Sequence, residues 1–84
     1  MTIHKYPLSP VSTQTIELPA GATILTVQMQ RNTPTLWALV DPAAAKVHRT
    51  FAIYGTGYSI EGEPGAYIGT VQDEAGFVWH VFEK

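Results

Sequence analysis

Six prolines and seven glycines punctuate this 84-residue chain, and the runs between them are too short for a helix of ordinary length. Those runs are rich in Thr, Val, Ile, Tyr, Phe and Trp, whose branched or planar side chains suit a pleated surface. No window sustains an apolar period of 3.6 residues. The best helix candidate is residues 42–46, with Asp41 as N-cap and Pro42 at the first helical position, and it has room for a single turn. The expected fold is therefore all-β: a small barrel- or sandwich-like domain of 6–7 mainly antiparallel strands, near 3–8, 14–18, 23–30, 35–41, 47–54, 66–72 and 77–83.

Alternation refines this expectation. In the third run Leu25, Val27 and Met29 fall on one face and Thr26, Gln28 and Gln30 on the other, the pattern of a half-buried antiparallel strand. Arg31-Asn32-Thr33-Pro34 then forms a hairpin connection, with Asn32 able to take a positive φ. The fourth run is apolar on both faces, Trp37 and Leu39 against Leu36, Ala38 and Val40. So is the last, with Phe77, Trp79 and Val81 against Val78, His80 and Phe82. Such strands must be enclosed by a barrel or sandwich, or be covered by a second copy. With only 14% charged residues, a homo-oligomer is expected, most simply a two-fold dimer using residues 77–82.

Sliding the sequence on itself by 44 residues aligns 3–28 with 47–72 and returns nine identities, His4/His48, Gly21/Gly65, Ile24/Ile68 and Thr26-Val27-Gln28/Thr70-Val71-Gln72 among them. Beyond the hairpin, Trp37 lies over Trp79. One account is chance similarity between β-rich segments. The other is a single domain built from two pseudo-two-fold repeats, 1–42 and 45–84.

Charge and motif content exclude several functions. The basic residues Lys5, Arg31, Lys46, Arg49 and Lys84 are scattered and the formal net charge is −2, which disfavours duplex nucleic acid. The N-terminus lacks an apolar signal region, and no run approaches the length of a membrane span. With no cysteine there is no disulfide or thiolate metal site, and a reducing cytoplasm fits. His4, His48 and His80 show no metal-ligand spacing. No nucleophile motif occurs, and the carboxylate pairs Glu61/Glu63 and Asp73/Glu74 sit in turns that are ordinarily wet. No catalytic residue, metal or cofactor is assigned, and an enzyme is not expected.

Binding is the remaining chemistry. Tyr54-Gly55-Thr56-Gly57-Tyr58 combines two rings with glycine-freed amides that could turn toward an anion, although a plain tight turn explains the same residues. Arg49, alternating with Phe51 and Ile53, is either the cation of a semi-enclosed pocket or a charge that protects an edge strand. Trp37 and His80 could join from the two-sided strands. The expected ligand-binding set is thus Arg49, Tyr54, Gly55, Thr56, Gly57, Tyr58, Trp37 and His80.

The strings Lys5-Tyr6-Pro7-Leu8, Gln14-Thr15-Ile16-Glu17-Leu18-Pro19-Ala20-Gly21-Ala22 and Leu36-Trp37-Ala38-Leu39-Val40-Asp41 carry a family resemblance. Arg49 to Gly57, Tyr67-Ile68-Gly69-Thr70 and His80-Val81-Phe82-Glu83 continue the match over nearly the whole chain. In these motifs the chain resembles a family of small uncharacterised bacteriophage and prophage proteins, a domain of unknown function. The resemblance implies expression in the bacterial host cytoplasm. It also implies an accessory role: binding a host protein, or a small anionic nucleotide-like host signal, so as to counter bacterial defence. A structural or assembly component of a phage particle is the alternative, and a small enzyme ranks last.

Overall fold

Every expected run forms a strand in the computed structural model, which describes residues 1–84. They are β1 (Thr2–Pro7), β2 (Thr13–Pro19), β3 (Thr23–Gln30), β4 (Thr33–Val40), β5 (Lys46–Gly55), β6 (Ala66–Gln72) and β7 (Val78–Glu83). All pairings are antiparallel and there is no helix. A three-stranded sheet has the order β1-β4-β3 and a four-stranded sheet the order β2-β5-β7-β6. The molecule is an open, sandwich-like arrangement and not a closed barrel. Its thinnest dimension is 16 Å, room for two sheets about 10 Å apart and no third layer.

The candidate segment 42–46, with room for at most one helical turn, forms none. Asp41 does cap, its Oδ1 accepting from Ala43 N at 3.0 Å while its carbonyl accepts from Ala44 N at 3.0 Å. The Ala45 carbonyl is then taken by Ala20 N at 2.7 Å, and β5 begins at Lys46. Three alanines cannot offset the cost of nucleating a helix when the ladder claims the next residue.

One core joins the sheets. Leu36, Ala38 and Val40 of β4 meet Phe51 and Ile53 of β5 and Val81 of β7, with Leu8, Leu18, Val27 and Val71 completing the contact. Full burial of each large side chain, Phe51 or Leu36 for example, stabilises by roughly 1.5–3 kcal/mol. The outer faces of β4 and β7 stay half-exposed, with Trp37, Leu39, His80 and Phe82 partly open to solvent.

The alternation read for β3 holds at Val27 and fails at Leu25. The β3–β4 register shifts between Ile24 and Thr26, so Leu25 is the bulge residue and turns outward, 49% exposed. Ile24 packs against the core in its place. An extra residue in one strand reverses every side chain before it, which a period-two pattern cannot anticipate.

The order β1-β4-β3 recurs as β5-β7-β6, but the registers differ. Lys5 pairs with Trp37; its aligned counterpart Arg49 pairs with Ile16 of β2, and Trp79 pairs with Gly55, further along β5. Val27 pairs with Leu36, whereas Val71 pairs with Trp79. Leu36 is thus the positional equivalent of Trp79, and the two tryptophans face opposite ways: Trp79 packs toward the core and Trp37 lies on the outer face.

Candidate functional site

Alternation along β5 divides the expected ligand-binding residues among three places. Arg49, Phe51, Ile53 and Gly55 share the inner face, and Tyr54 points outward. Arg49 lies diagonally from Glu83, the pairing partner of Phe51, and the two form a bidentate ion pair: Nε to Oε2 at 2.6 Å and Nη2 to Oε1 at 2.7 Å. Nη1 donates to the Ala22 carbonyl. The Glu83 carboxylate, as hydrogen-bond acceptor first and neighbouring charge second, raises the Arg49 pKa above its ordinary value against the opposing effect of burial. A cleft of about 430 Å³ opens over this pair, between the ends of β3 and β6. The cation there is already neutralised.

The Gly55–Tyr58 segment is a tight turn. Tyr58 N donates to the Gly55 carbonyl at 3.0 Å and Thr56 N to the Val78 carbonyl at 3.2 Å. Gly57 at φ 87° supplies the positive φ this turn needs at its third residue. Two amides that could have met an anion are therefore internally paired. Gly55 is required for another reason: a Cβ there would lie 3.0 Å from Tyr58 Cε1 and 3.2 Å from Trp79 Cζ3.

Tyr54, Thr56 and His80 meet on the outer face of the four-stranded sheet. His80 Nε2 lies 2.8 Å from Thr56 Oγ1 and its Nδ1 3.0 Å from Thr70 Oγ1, which in turn contacts Tyr67 OH at 2.6 Å. Phe82 stands edge-on to both Tyr54 and Tyr67, at centroid separations of 5.9 and 5.5 Å. Trp37 lies on the outer face of the other sheet. The eight residues do not form one site.

What the structure brings together instead is a half-enclosed cavity of about 300 Å³ at one end of the sandwich. Ile53, Tyr58 and Trp79 line one side and Met29 and Pro34 the other, with the 10–12 loop across the mouth. The Tyr58 and Trp79 rings are nearly perpendicular, 87° apart with centroids 6.1 Å distant. Backbone bonds hold the walls: Leu8 N to the Pro34 carbonyl at 2.8 Å, and Ile53 N to the Ser12 carbonyl at 2.9 Å. The two hairpin tips are tied by Glu74 N donating to Asn32 Oδ1 at 2.9 Å.

Asp73 is the charged group of this cavity. Its Oδ2 accepts from Trp79 Nε1 at 3.0 Å and its Oδ1 from Phe77 N at 3.0 Å. The indole donor holds its carboxyl below the usual carboxylate range against the opposing effect of desolvation, with the backbone amides of Phe77, Ala75 and Gly76 adding to the lowering. No Lys, Arg or His lines the cavity. Such a lining suits a neutral or cationic group with apolar surface better than an anion.

Of these residues the sequence had singled out only Tyr58 as a binding residue. The sequence reads Asp73 as a solvated turn residue; in the structure it is half-buried, with both carboxylate oxygens hydrogen-bonded. The missed signal is the Asp73-Glu74-Ala75-Gly76 turn, closed by Gly76 N to the Asp73 carbonyl at 3.0 Å with Gly76 at φ 89°. That geometry turns the Asp73 carboxylate toward the tryptophan at the start of the next strand.

A family model described as a domain of unknown function, DUF7352, matches residues 1–84. The chain belongs to this family. No curated protein and no solved structure matches it.

Proposed function

We propose that this DUF7352 chain is a non-enzymatic binding module, an accessory protein of phage type acting in the bacterial host cytoplasm, whose Trp79 cavity takes an apolar, non-acidic segment of a host protein. The observation that carries this is the cavity itself: preformed by backbone bonds, walled by Tyr58, Trp79, Met29 and Ile53, and lined by a carboxylate with no base. A preformed site needs little ordering on binding, which favours affinity. Pairing of Arg49 with Glu83 removes the cation on which a nucleotide-like ligand of the 49–58 segment depended, so a host protein is preferred over an anionic host signal there. Interference with host defence is the role this reading gives the complex. Self-association belongs to the same proposal, supported by the half-exposed outer faces of β4 and β7. Since β7 is hydrogen-bonded on both edges, only its outer face is free for a second copy.

The test is site-specific photo-crosslinking in bacterial cells from residue 12 at the cavity mouth, with the adduct identified by mass spectrometry. A discrete host protein, lost when Met29→Arg fills the cavity of a still-folded chain, is the expected result. Crosslinks that are diffuse, or that persist in Met29→Arg, refute the proposal. A large assembly of this chain alone would favour the virion component instead.

A further inference from the structure

Two of the five basic residues, far apart in the chain, converge in the fold. Lys5 of β1 and Arg31 of the β3–β4 turn line a cleft of about 310 Å³ on the outer face of the three-stranded sheet, with Gln30, Thr33, Thr35 and Pro7. The lining contains no carboxylate and no large apolar side chain. The ion pairs of the chain are His48 with Glu17 and Arg49 with Glu83, so Lys5 and Arg31 carry uncompensated charge in a protein that is acidic overall.

The turn that presents Arg31 is built against backbone preference. Arg31 and Asn32 form a two-residue hairpin loop with φ 49° and 60°, the geometry in which Asn-Gly is favoured because both residues are left-handed. Asn32 suits its place and uses its side chain to hold the Glu74 amide. Arginine at the first position is disfavoured sterically and does nothing for the turn that Asn or Gly would not do better. Strain of this kind persists where a site uses it.

Lys5 keeps free donors in the cleft. Lys5 Nζ donates to Gln30 Oε1 at 2.8 Å across β4, which leaves two ammonium donors and directs the Gln30 amide nitrogen away from Lys5. Thr35, 1% exposed, donates to the Thr33 carbonyl at 3.0 Å and fixes the floor. The Arg31 guanidinium adds a planar fork of N–H donors that matches a phosphate edge. Trp37, paired in register with Lys5, lies next to the cleft on the same face of the sheet.

We propose that this cleft is an oxyanion site that takes the phosphate group of a small phosphate-bearing molecule. It opens on the outside of the sheet, away from the cavity between the sheets, so either site can fail without the other.

The experiment is an NMR titration of the full chain with sodium phosphate and, separately, with AMP and adenosine, at constant ionic strength. Phosphate and AMP should give saturable shifts at the Arg31 side-chain N–H and the Thr33 amide. Arg31→Gln and Lys5→Gln should each weaken binding about tenfold, the size of one charge-assisted hydrogen bond, with Lys46→Gln within twofold of wild type. AMP tighter than phosphate, with the Trp37 indole shifted, identifies an ester as the ligand. AMP equal to phosphate identifies the free anion. Arg31→Asn should weaken binding as Arg31→Gln does and raise the unfolding temperature, because it relieves the turn. Adenosine binding as well as AMP, shifts that do not saturate, equal losses in Lys46→Gln, or undiminished binding by Arg31→Asn would each overturn the site.

Discussion

Removing the Arg49 side chain tests whether it is part of the scaffold. Both members of its pair with Glu83 are about a quarter exposed, 23% and 22%, so the pair lies between two measured regimes. Exposed pairs contribute about 0–1 kcal/mol, and breaking a buried pair costs about 3–5 kcal/mol. Arg49→Ala strands a mostly covered carboxylate, removes the donor to the Ala22 carbonyl and breaks both arms of the fork. Discounted for residual solvent screening, the loss is about 2 kcal/mol. A chain of this size has a total stability on the order of 4–13 kcal/mol. The same loss lowers the melting temperature by roughly 8–16 °C. Urea unfolding of wild type, Arg49→Ala, Glu83→Ala and the double variant gives the coupling directly. The double variant should lose less than the two single losses added together, by about 1–2 kcal/mol. Single losses below about 0.5 kcal/mol, or no coupling, would refute the reasoning and return Arg49 to the pool of available cations.

Gly65 has φ 101°, and a Cβ there would collide with the Glu83 carbonyl; Gly65→Ala should cost more than about 2 kcal/mol in the same assay. Leu36→Ala, at a fully buried position, should cost about 2–5 kcal/mol, while Leu25→Ala at the bulge stays within about 0.5 kcal/mol. Asp73 has a folded pKa below its unfolded one, so its contribution is full above the unfolded value of about 3.9 and is lost as pH falls through the folded value. The urea midpoints of wild type and Asp73→Asn should therefore differ at pH 6 and converge at the most acid pH; a constant gap contradicts the assigned pairing. Sedimentation at tens of micromolar should show a homo-oligomer, and a monomer there removes self-association from the proposed function.

Strand identity was legible in the sequence because Gly and Pro bracket each run, and the inward set Leu36, Ala38 and Val40 was legible because β4 is regular. Bulges were not. Leu25 and the Trp37/Trp79 overlay both fail by a shift of one residue, and in a sheet that shift exchanges inside for outside. The expected ligand set is dispersed for a related reason: adjacency along β5 suggests Arg49 near Tyr54, but strand parity sends them to opposite faces. Asp73, Met29, Asn32 and Trp79 come together only through the meeting of two hairpin tips. Nothing local in the chain encodes that meeting. Lys5 and Arg31 converge through the β1–β4 and β3–β4 ladders together, a relation equally invisible to spacing.

The way β2 leaves the first half to pair with β5 also sets how the chain must assemble. Only β3–β4 and β6–β7 are hairpins between consecutive strands; β1 waits for β4 across β2 and β3, and β2 waits for β5 across the β3–β4 hairpin. Closing those loops costs entropy before any ladder bond repays it. The two hairpins are therefore the early structures, and folding belongs to the milliseconds-to-seconds range of non-local β proteins. During that interval β4 and β5 expose unpaired edges. Peptide 1–42 released alone would carry β2 with no partner strand, and peptide 45–84 would carry β5 with one edge bare, so each supplies what the other lacks.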